Sequence, residues 1–215
     1  MPWIEQLQGA NWSQEGWLLV CAYILGCFTT GYYLVRVRTG QDVRDIGSGS
    51  VGARNVGRIL GSSGFLATLA GDFAKGAFAV WVARHFSKDD RLIALAMLAV
   101  IIGHIWPIQL RFRGGKGVAT SLGALLIYDY QLAIAYGIVF TCFFAVLRKT
   151  VLPGVFAFIC LPLASMYLGN EPTRVIGLSA LAGIVFITHR KNLFAEFAQL
   201  GGRGDLDPKP NRHKL

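Results

Sequence analysis

The sequence predicts an all-α integral membrane protein with seven transmembrane helices. Its N-terminus lies outside, its C-terminus inside, and its glycine-rich basic loops face the cytoplasm. Three observations lead there. Charge is scarce: 15 % of the 215 residues are charged and 53 % are hydrophobic, against about 25 % charged in a soluble domain. Apolar runs recur at lengths near the roughly 20 residues a helix needs to cross hydrocarbon. The net charge of +9 is carried by Lys and Arg concentrated on alternate connections, as the positive-inside rule requires. No soluble basic domain is available to form a nucleic-acid surface.

The spans follow in order. The first, 17–35, ends against Arg36 and Arg38. It is too long for a cleaved leader, and residues 1–16 carry Glu5 and Glu15 where a signal peptide needs basic residues. The second, 63–84, is apolar except for Asp72 and Lys75. The third, 91–109, holds His104 near its cytoplasmic end. The fourth, 117–129, is short and glycine-bounded, which fits a tilted, partial or re-entrant segment. The fifth, 131–147, stops at Arg148 and Lys149. The sixth is 151–168 and the seventh 174–189, closed by His189-Arg190-Lys191-Asn192. With seven spans and the N-terminus outside, sixteen basic residues fall inside and four outside. Removing the fourth span moves Arg148 and Lys149 outside and swaps the last loop and the tail. Residues 1–200 therefore form one polytopic domain and 201–215 a flexible cytoplasmic tail. Cys21, Cys27, Cys142 and Cys160 all sit in apolar runs without CxxC spacing, so they read as packing residues, with neither a disulfide nor a zinc site.

Polar chemistry concentrates in a few segments. Gly47-Ser48-Gly49-Ser50-Val51-Gly52-Ala53-Arg54-Asn55 contains a GxGxxG spacing. It follows a membrane span and not a β-strand, so a dinucleotide fold is excluded. The glycines still allow backbone amides to surround an anion, and Ser48, Arg54 and Asn55 add donors. The bland alternative is a flexible interhelical loop. Arg111-Phe112-Arg113-Gly114-Gly115-Lys116-Gly117 resembles a phosphate loop but fails the Walker A pattern at its first glycine and at the Ser/Thr position. Its cations suit phosphate. A plain anchor loop would need the charge but not the glycines. Asp72 and Lys75 are three residues apart, on one helical face. They are either a structural ion pair or the lining of a polar cavity. His104 and His189 lie at the same membrane face, and nearby carboxylates for a metal are lacking. All these segments fall on the cytoplasmic side, where a basic cavity floored by apolar helices suits a phosphate with an acyl tail.

Taken together, Asp42-x-Arg44, Gly47-Ser48-Gly49-x-x-Gly52-Ala53-x-Asn55-Val56, Leu60-Gly61, Asp72-x-x-Lys75-Gly76, Gly103-His104-x-x-Pro107, Phe112-x-Gly114-Gly115-Lys116-Gly117-Val118-Ala119-Thr120 and His189-Arg190-x-Asn192 give a specific resemblance. Over residues 17 to 195 the chain resembles the bacterial membrane glycerol-3-phosphate acyltransferases that use acyl-phosphate (the PlsY type). The resemblance implies seven spans in the cell (inner or plasma) membrane and an active site facing the cytoplasm. It implies transfer of an acyl group from acyl-phosphate to the 1-hydroxyl of glycerol 3-phosphate, making lysophosphatidic acid without metal or other cofactor. It implies Ser48, His104 and Asn192 as catalytic residues. Phosphate binding would fall to Gly47, Gly49, Gly52, Arg54, Asn55, Lys75, Gly114, Gly115, Lys116, His189 and Arg190. Within that set Ser48 and Asn55 would hold one phosphate, and Lys116, His189 and Arg190 the other. His104 and Asn192 would orient the reacting groups, and Lys75 with Asp72 would form the cavity floor. The partners are the two substrates and the bilayer, and a monomer is compatible with this reading. Three departures stand out: Ser50 where the family usually has Asn, Arg54 where it usually has Thr, and Lys149-Thr150-Val151 where a Tyr-Val-Ser-like run is usual. They keep open a paralogue that acylates another phosphorylated acceptor. An anion or lipid transporter is the alternative of another class; no internal repeat supports it.

Overall fold

The structure is a computed structural model that describes residues 15–200, with side chains through 198. The expected tail at 201–215 and the leader reading of residues 1–14 lie outside the described residues. Every regular element described is helical: α1 Trp17–Cys27, α2 Thr30–Thr39, α3 Ala53–Phe86, α4 Asp90–Ile105, α5 Val118–Tyr128, α6 Tyr130–Leu147, α7 Val151–Tyr167 and α8 Pro172–Leu200, with 3-10 turns at Val43–Asp45 and Ile108–Leu110.

Five helical segments are long and apolar enough to cross a membrane: Trp17–Thr39, Ala53–Phe86, Asp90–Leu110, Tyr130–Leu147 and Pro172–Ala198. Two shorter apolar helices, Val118–Tyr128 and Val151–Tyr167, complete the bundle. These seven segments match the expected spans in position. Helix α5 has 11 residues and rises only about 16 Å at ~1.5 Å per residue, roughly half the hydrocarbon thickness. It runs parallel to α3. Gly123 lies against the Phe73 carbonyl and Gly76 against the Thr120 carbonyl, while Arg84 Nη1 donates to the Ile127 carbonyl at 2.6 Å. Both helices end at one pole of the bundle. There Arg174 at the start of α8 pairs with Asp90 (2.8 Å) and Asp129 (3.3 Å). Asp129 alone separates α5 from α6 and caps α6 by accepting from the Gln131 and Leu132 amides.

Helix α4 is apolar around its whole circumference, the pattern of a helix surrounded by protein, and it packs on α1, α3, α5 and α8. The main core gathers Met97, Val100, Ile101, Leu125, Phe158 and Leu181, all essentially inaccessible. The outer surface is also apolar. Val20, Ile24, Phe78, Trp81, Ile138, Val146, Leu163 and Ile176 are each more than half exposed, a surface suited to lipid and not to water. Small residues set the closest approaches, as they do where helices associate in lipid. A Cβ on Gly76 would collide with backbone of α5, whereas nothing lies within 4 Å of one on Gly137. Gly76→Ala is therefore expected to lower stability in detergent by about 1–3 kcal/mol. Gly137→Ala should leave it unchanged or raise it by up to about 1 kcal/mol. Thermal unfolding of both variants checks this, and equal melting would contradict the packing.

Three boundaries differ from the sequence reading; the seventh span, expected to end at 189, continues as α8 to Leu200. The second span was expected at 63–84, but α3 begins ten residues earlier, at Ala53, and carries a non-helical kink at Gly61. Its first two turns carry Arg54, Asn55 and Arg58 among the apolar residues, so a search for apolar runs misses them. The first span is broken: Phe28 and Thr29 are extended between α1 and α2. A break inside a membrane helix frees backbone groups that lipid cannot satisfy. Lys75 Nζ donates to the Phe28 carbonyl at 2.6 Å, Gln109 Nε2 to the Cys27 carbonyl at 2.5 Å, and Asp72 Oδ1 accepts from the Thr30 amide at 3.3 Å. The ammonium thus sits at the C-terminal end of α1 and the carboxylate at the N-terminal end of α2, the signs the helix dipoles favour.

Candidate functional site

The glycine-rich segment between α2 and α3 is organised by Asn55. This side chain is 1 % exposed. Its Oδ1 accepts from the Ser48 amide at 2.9 Å, and its Nδ2 faces the carbonyls of Val43, Ile46 and Ser50 at 3.2, 3.0 and 3.0 Å. Gly47 and Gly49 adopt φ of 62° and 69°, values at which an L side chain is strained. A Cβ on Gly47 would also strike Asn55 Oδ1. These glycines therefore serve the turn itself, and Asn55 shapes the loop with its polar atoms already engaged. A Cβ at Gly52 would meet only the Ser50 hydroxyl. What remains for an anion is the Ser48 hydroxyl and the N-terminus of α3. Gly52 is the N-cap there and no side chain caps the first turn. Uncapped amides at the positive end of a long helix form an anion site. The loop is tied to the rest of the bundle by Arg44, which pairs with Asp42 at 2.6 Å and donates to the Leu110 carbonyl at 2.8 Å. Arg44 holds the Asp42 carboxyl below the usual carboxylate range.

The second glycine segment folds back along the end of α4. The Gly114 amide donates to the Ile105 carbonyl and the Gly115 amide to the His104 carbonyl, each at 3.0 Å. A Cβ on Gly114 would collide with the His104 carbonyl, and one on Gly115 with His104 Nε2. Where the sequence reading assigned these glycines to backbone access for phosphate, the close approach they make is to the end of α4. Their close approach carries Lys116 inward. Its ammonium has neither a carboxylate nor a hydrogen-bond partner among the described residues. Burial, and secondarily the charge of Arg54, holds it below the usual lysine range.

Between these loops lies a cavity of 580 Å³. Ser48, Arg54, Asn55, His104, Lys116, His189 and Asn192 line it, together with Gly52. Its apolar wall comes from Phe65, Leu69, Leu122, Tyr136, Phe140 and Val155. Gly47, Gly49, Gly114, Gly115, Lys75 and Arg190 do not reach this wall. Lys75 stands behind it, bound to Asp72, His104 and the Phe28 carbonyl, and Arg190 is exposed with a long contact to its own helix. Among the described residues no three His, Cys, Asp or Glu side chains converge as metal ligands would.

Sequence reasoning missed Arg58, which lines the cavity without a carboxylate partner among the described residues. The signal was available: Arg58 lies four residues after Arg54 and three after Asn55, on one helical face. Thr150, in the turn between α6 and α7, also lines the cavity, and its hydroxyl accepts a hydrogen bond from the Arg54 guanidinium. Glu196 of α8 holds that turn by accepting from the Val151 and Leu152 amides at 3.2 and 2.8 Å. Arg54 and Thr150, which belong to two separate departures from the family pattern, are thus partners across the cavity.

Comparison with known proteins places the whole bundle. Residues 16–198 match the family described as glycerol-3-phosphate acyltransferase. The chain is 43 % identical over 176 residues to glycerol-3-phosphate acyltransferase 1 of Desulfitobacterium hafniense, covering 82 % of this chain and 87 % of that one. It is 37 % identical over 169 residues to the protein of the same name from Bacillus cereus, covering 79 % and 91 %. The crystal structure of PlsY (YgiH), an integral membrane glycerol 3-phosphate acyltransferase, in its glycerol 3-phosphate form superposes with a TM-score of 0.78 at 31 % identity, over 87 % of this chain and 92 % of that one. Its lysophosphatidic acid form gives 0.75 at 29 % identity, with the same coverage.

Proposed function

Because the chain belongs to the glycerol-3-phosphate acyltransferase family, we propose that it transfers an acyl group from acyl-phosphate to the 1-hydroxyl of sn-glycerol 3-phosphate. The products are lysophosphatidic acid and phosphate. The observation that carries this reading is a single cavity with two characters. One part holds Lys116 and Arg58, cations without carboxylate partners among the described residues, beside the uncapped start of α3. The other part is the apolar wall of α3, α5, α6 and α7. A phosphate on an acyl chain needs both.

In this mechanism the α3 N-terminus, Ser48 and Arg58 hold one phosphate, and Lys116 holds the other. Arg54 serves whichever phosphate lies nearer Thr150. Asn192 and His104 orient the acyl carbonyl and the attacking hydroxyl. The donor is a mixed anhydride and already activated. The hydroxyl oxygen attacks the acyl carbon, the bond from that carbon to the phosphate oxygen breaks, and the departing phosphate takes the hydroxyl proton. The protein supplies position and charge stabilisation; no metal or other cofactor is needed. The chain sits in the cell membrane as seven passes, N-terminus outside, with the cavity open to the cytoplasm, an orientation favoured by the sixteen-to-four distribution of basic residues.

The test is acyl transfer by the purified protein in detergent. Palmitoyl-phosphate, acyl-CoA and acyl carrier protein donors are compared, with labelled glycerol 3-phosphate as acceptor and a chelator present. Lysophosphatidic acid from acyl-phosphate alone is the expected result. Transfer only from a thioester would refute the donor assignment. Well-folded protein inactive with all three donors would turn attention to other phosphorylated acceptors.

A second expectation concerns pH. Lys116 is held below the usual lysine range, so it loses its charge at a lower pH than a free lysine, and kcat/KM falls on the alkaline side. Arg54→Thr removes the neighbouring charge, raises the Lys116 pKa and moves that fall to higher pH. A profile that stays in place or moves down would exclude Lys116 as the titrating group.

A further inference from the structure

Two histidines face the cavity, and the partners of their ring nitrogens differ in kind. Lys75 Nζ lies 2.6 Å from the Phe28 carbonyl oxygen, 2.8 Å from His104 Nδ1 and 2.9 Å from Asp72 Oδ1. An ammonium has three N–H donors and no lone pair. Three acceptors meet three donors, and Asp72 supplies the counter-charge. His104 Nδ1 must therefore accept, which places the ring proton on Nε2. His189 is the opposite case. Its Nδ1 lies 2.9 Å from the Val185 carbonyl oxygen and 3.2 Å from the Thr188 hydroxyl, which itself donates to the Val185 carbonyl at 3.0 Å; the carbonyl can only accept. In the neutral ring the proton of His189 is therefore on Nδ1, and Nε2 keeps its lone pair.

We propose that the cavity holds its two histidines in opposite tautomers, so that His104 offers a donor N–H and His189 an acceptor lone pair. Lys75, fixed by Asp72, is the positioning residue for the first, and the Val185 carbonyl sets the second. This gives the buried ion pair a role beyond closing the break between α1 and α2: it determines which hydrogen-bonding face His104 turns to the cavity. Gly115 is part of the same device, because a Cβ there would occupy the space at His104 Nε2. Resting on the acyl-transfer reading, the polarity has a consequence. The His104 N–H suits the oxygen of the acyl carbonyl, which gains negative charge as the hydroxyl attacks. The His189 lone pair suits the hydroxyl itself, accepting its hydrogen bond and aiming its oxygen at the acyl carbon.

The test begins with the wild-type protein. The chain has four histidines, His85, His104, His189 and His213. Nitrogen-15 ring labelling and two-bond proton–nitrogen correlation in detergent report which nitrogen of each carries the proton. Loss of one ring's signals in His104→Asn or His189→Asn assigns it. The expected result is an Nε2–H ring at His104 and an Nδ1–H ring at His189 near neutral pH. Both rings in one tautomer, or His104 doubly protonated, would overturn the proposal whether or not the protein transfers acyl groups. Lys75→Met should release the His104 tautomer, leave the His189 spectrum unchanged and lower kcat by about a hundredfold, with KM for glycerol 3-phosphate within about twofold. Lys75→Arg, which keeps the donors, should restore both the spectrum and much of kcat. Activity lost in Lys75→Met with the His104 tautomer unaltered would make Lys75 a structural residue only and refute its positioning role. Should the wild type form no lysophosphatidic acid, the acyl-transfer reading fails, while the spectra still decide the tautomers.

Discussion

Lys116→Ala should lower kcat/KM by about a thousandfold while leaving the protein as stable as the wild type. The size follows from where the ammonium sits. Preorganised charges aimed at a reacting phosphate in a water-poor site are each worth roughly a hundredfold to a thousandfold, and Lys116 has no protein partner among the described residues to share it. The stability expectation follows from the same fact. Removing a half-buried cation that is destabilised by burial and by Arg54 breaks no hydrogen bond or ion pair. The melting temperature in detergent should hold or rise. Lys116→Arg should recover part of the rate, since charge returns but a planar fork replaces a compact ammonium. Rates within about tenfold of wild type in Lys116→Ala would remove this residue from the site, and a falling melting temperature would mark it as structural.

The helical bundle was legible in its apolar runs, and the proposed orientation rests on Lys and Arg, whose distribution can be counted without a structure. The limits of that signal show at particular residues. Arg58 was counted as one more cytoplasmic charge, and its second identity as a cavity residue needed the helical start of α3, hidden by its polarity. The break at Phe28 and Thr29 was missed because a hydropathy window over 17–35 averages Thr29, Thr30 and Gly31 into an apolar run. Without the break, nothing could say what Asp72 and Lys75 were for. The ion pair was recognised; its three-sided use of Lys75, serving a carbonyl, a carboxylate and an imidazole, was not. The glycines point the same way. Their density was read as backbone access to an anion. In one loop what approaches is Asn55, and in the other it is the end of α4; the proposed phosphate site is formed by what these contacts hold in place.

Asn55 carries the second large effect, by a different route. Its amide makes four contacts with the loop that contains Ser48, and an unmade buried hydrogen bond costs about 1–3 kcal/mol. Asn55→Ala should therefore abolish transfer, by a thousandfold or more on the scale of a lost phosphate site. Asn55→Asp should be equally inactive despite its nearly identical shape. A carboxylate cannot donate to the carbonyls of Val43, Ile46 and Ser50, and it adds negative charge beside the anion site. The bundle should not feel either change strongly. The loop packs through Val35, Val43, Val51 and Val56, a cluster separate from the main core. The expected signature is inactive protein whose global melting in detergent matches wild type but whose 40–52 segment is cut faster by limited proteolysis. Lys116→Ala should show no such cleavage. Were Asn55→Asp active, or its loop as protected as in wild type, the amide would be a direct ligand of substrate or dispensable, and the phosphate site would have to be rebuilt around the α3 N-terminus alone.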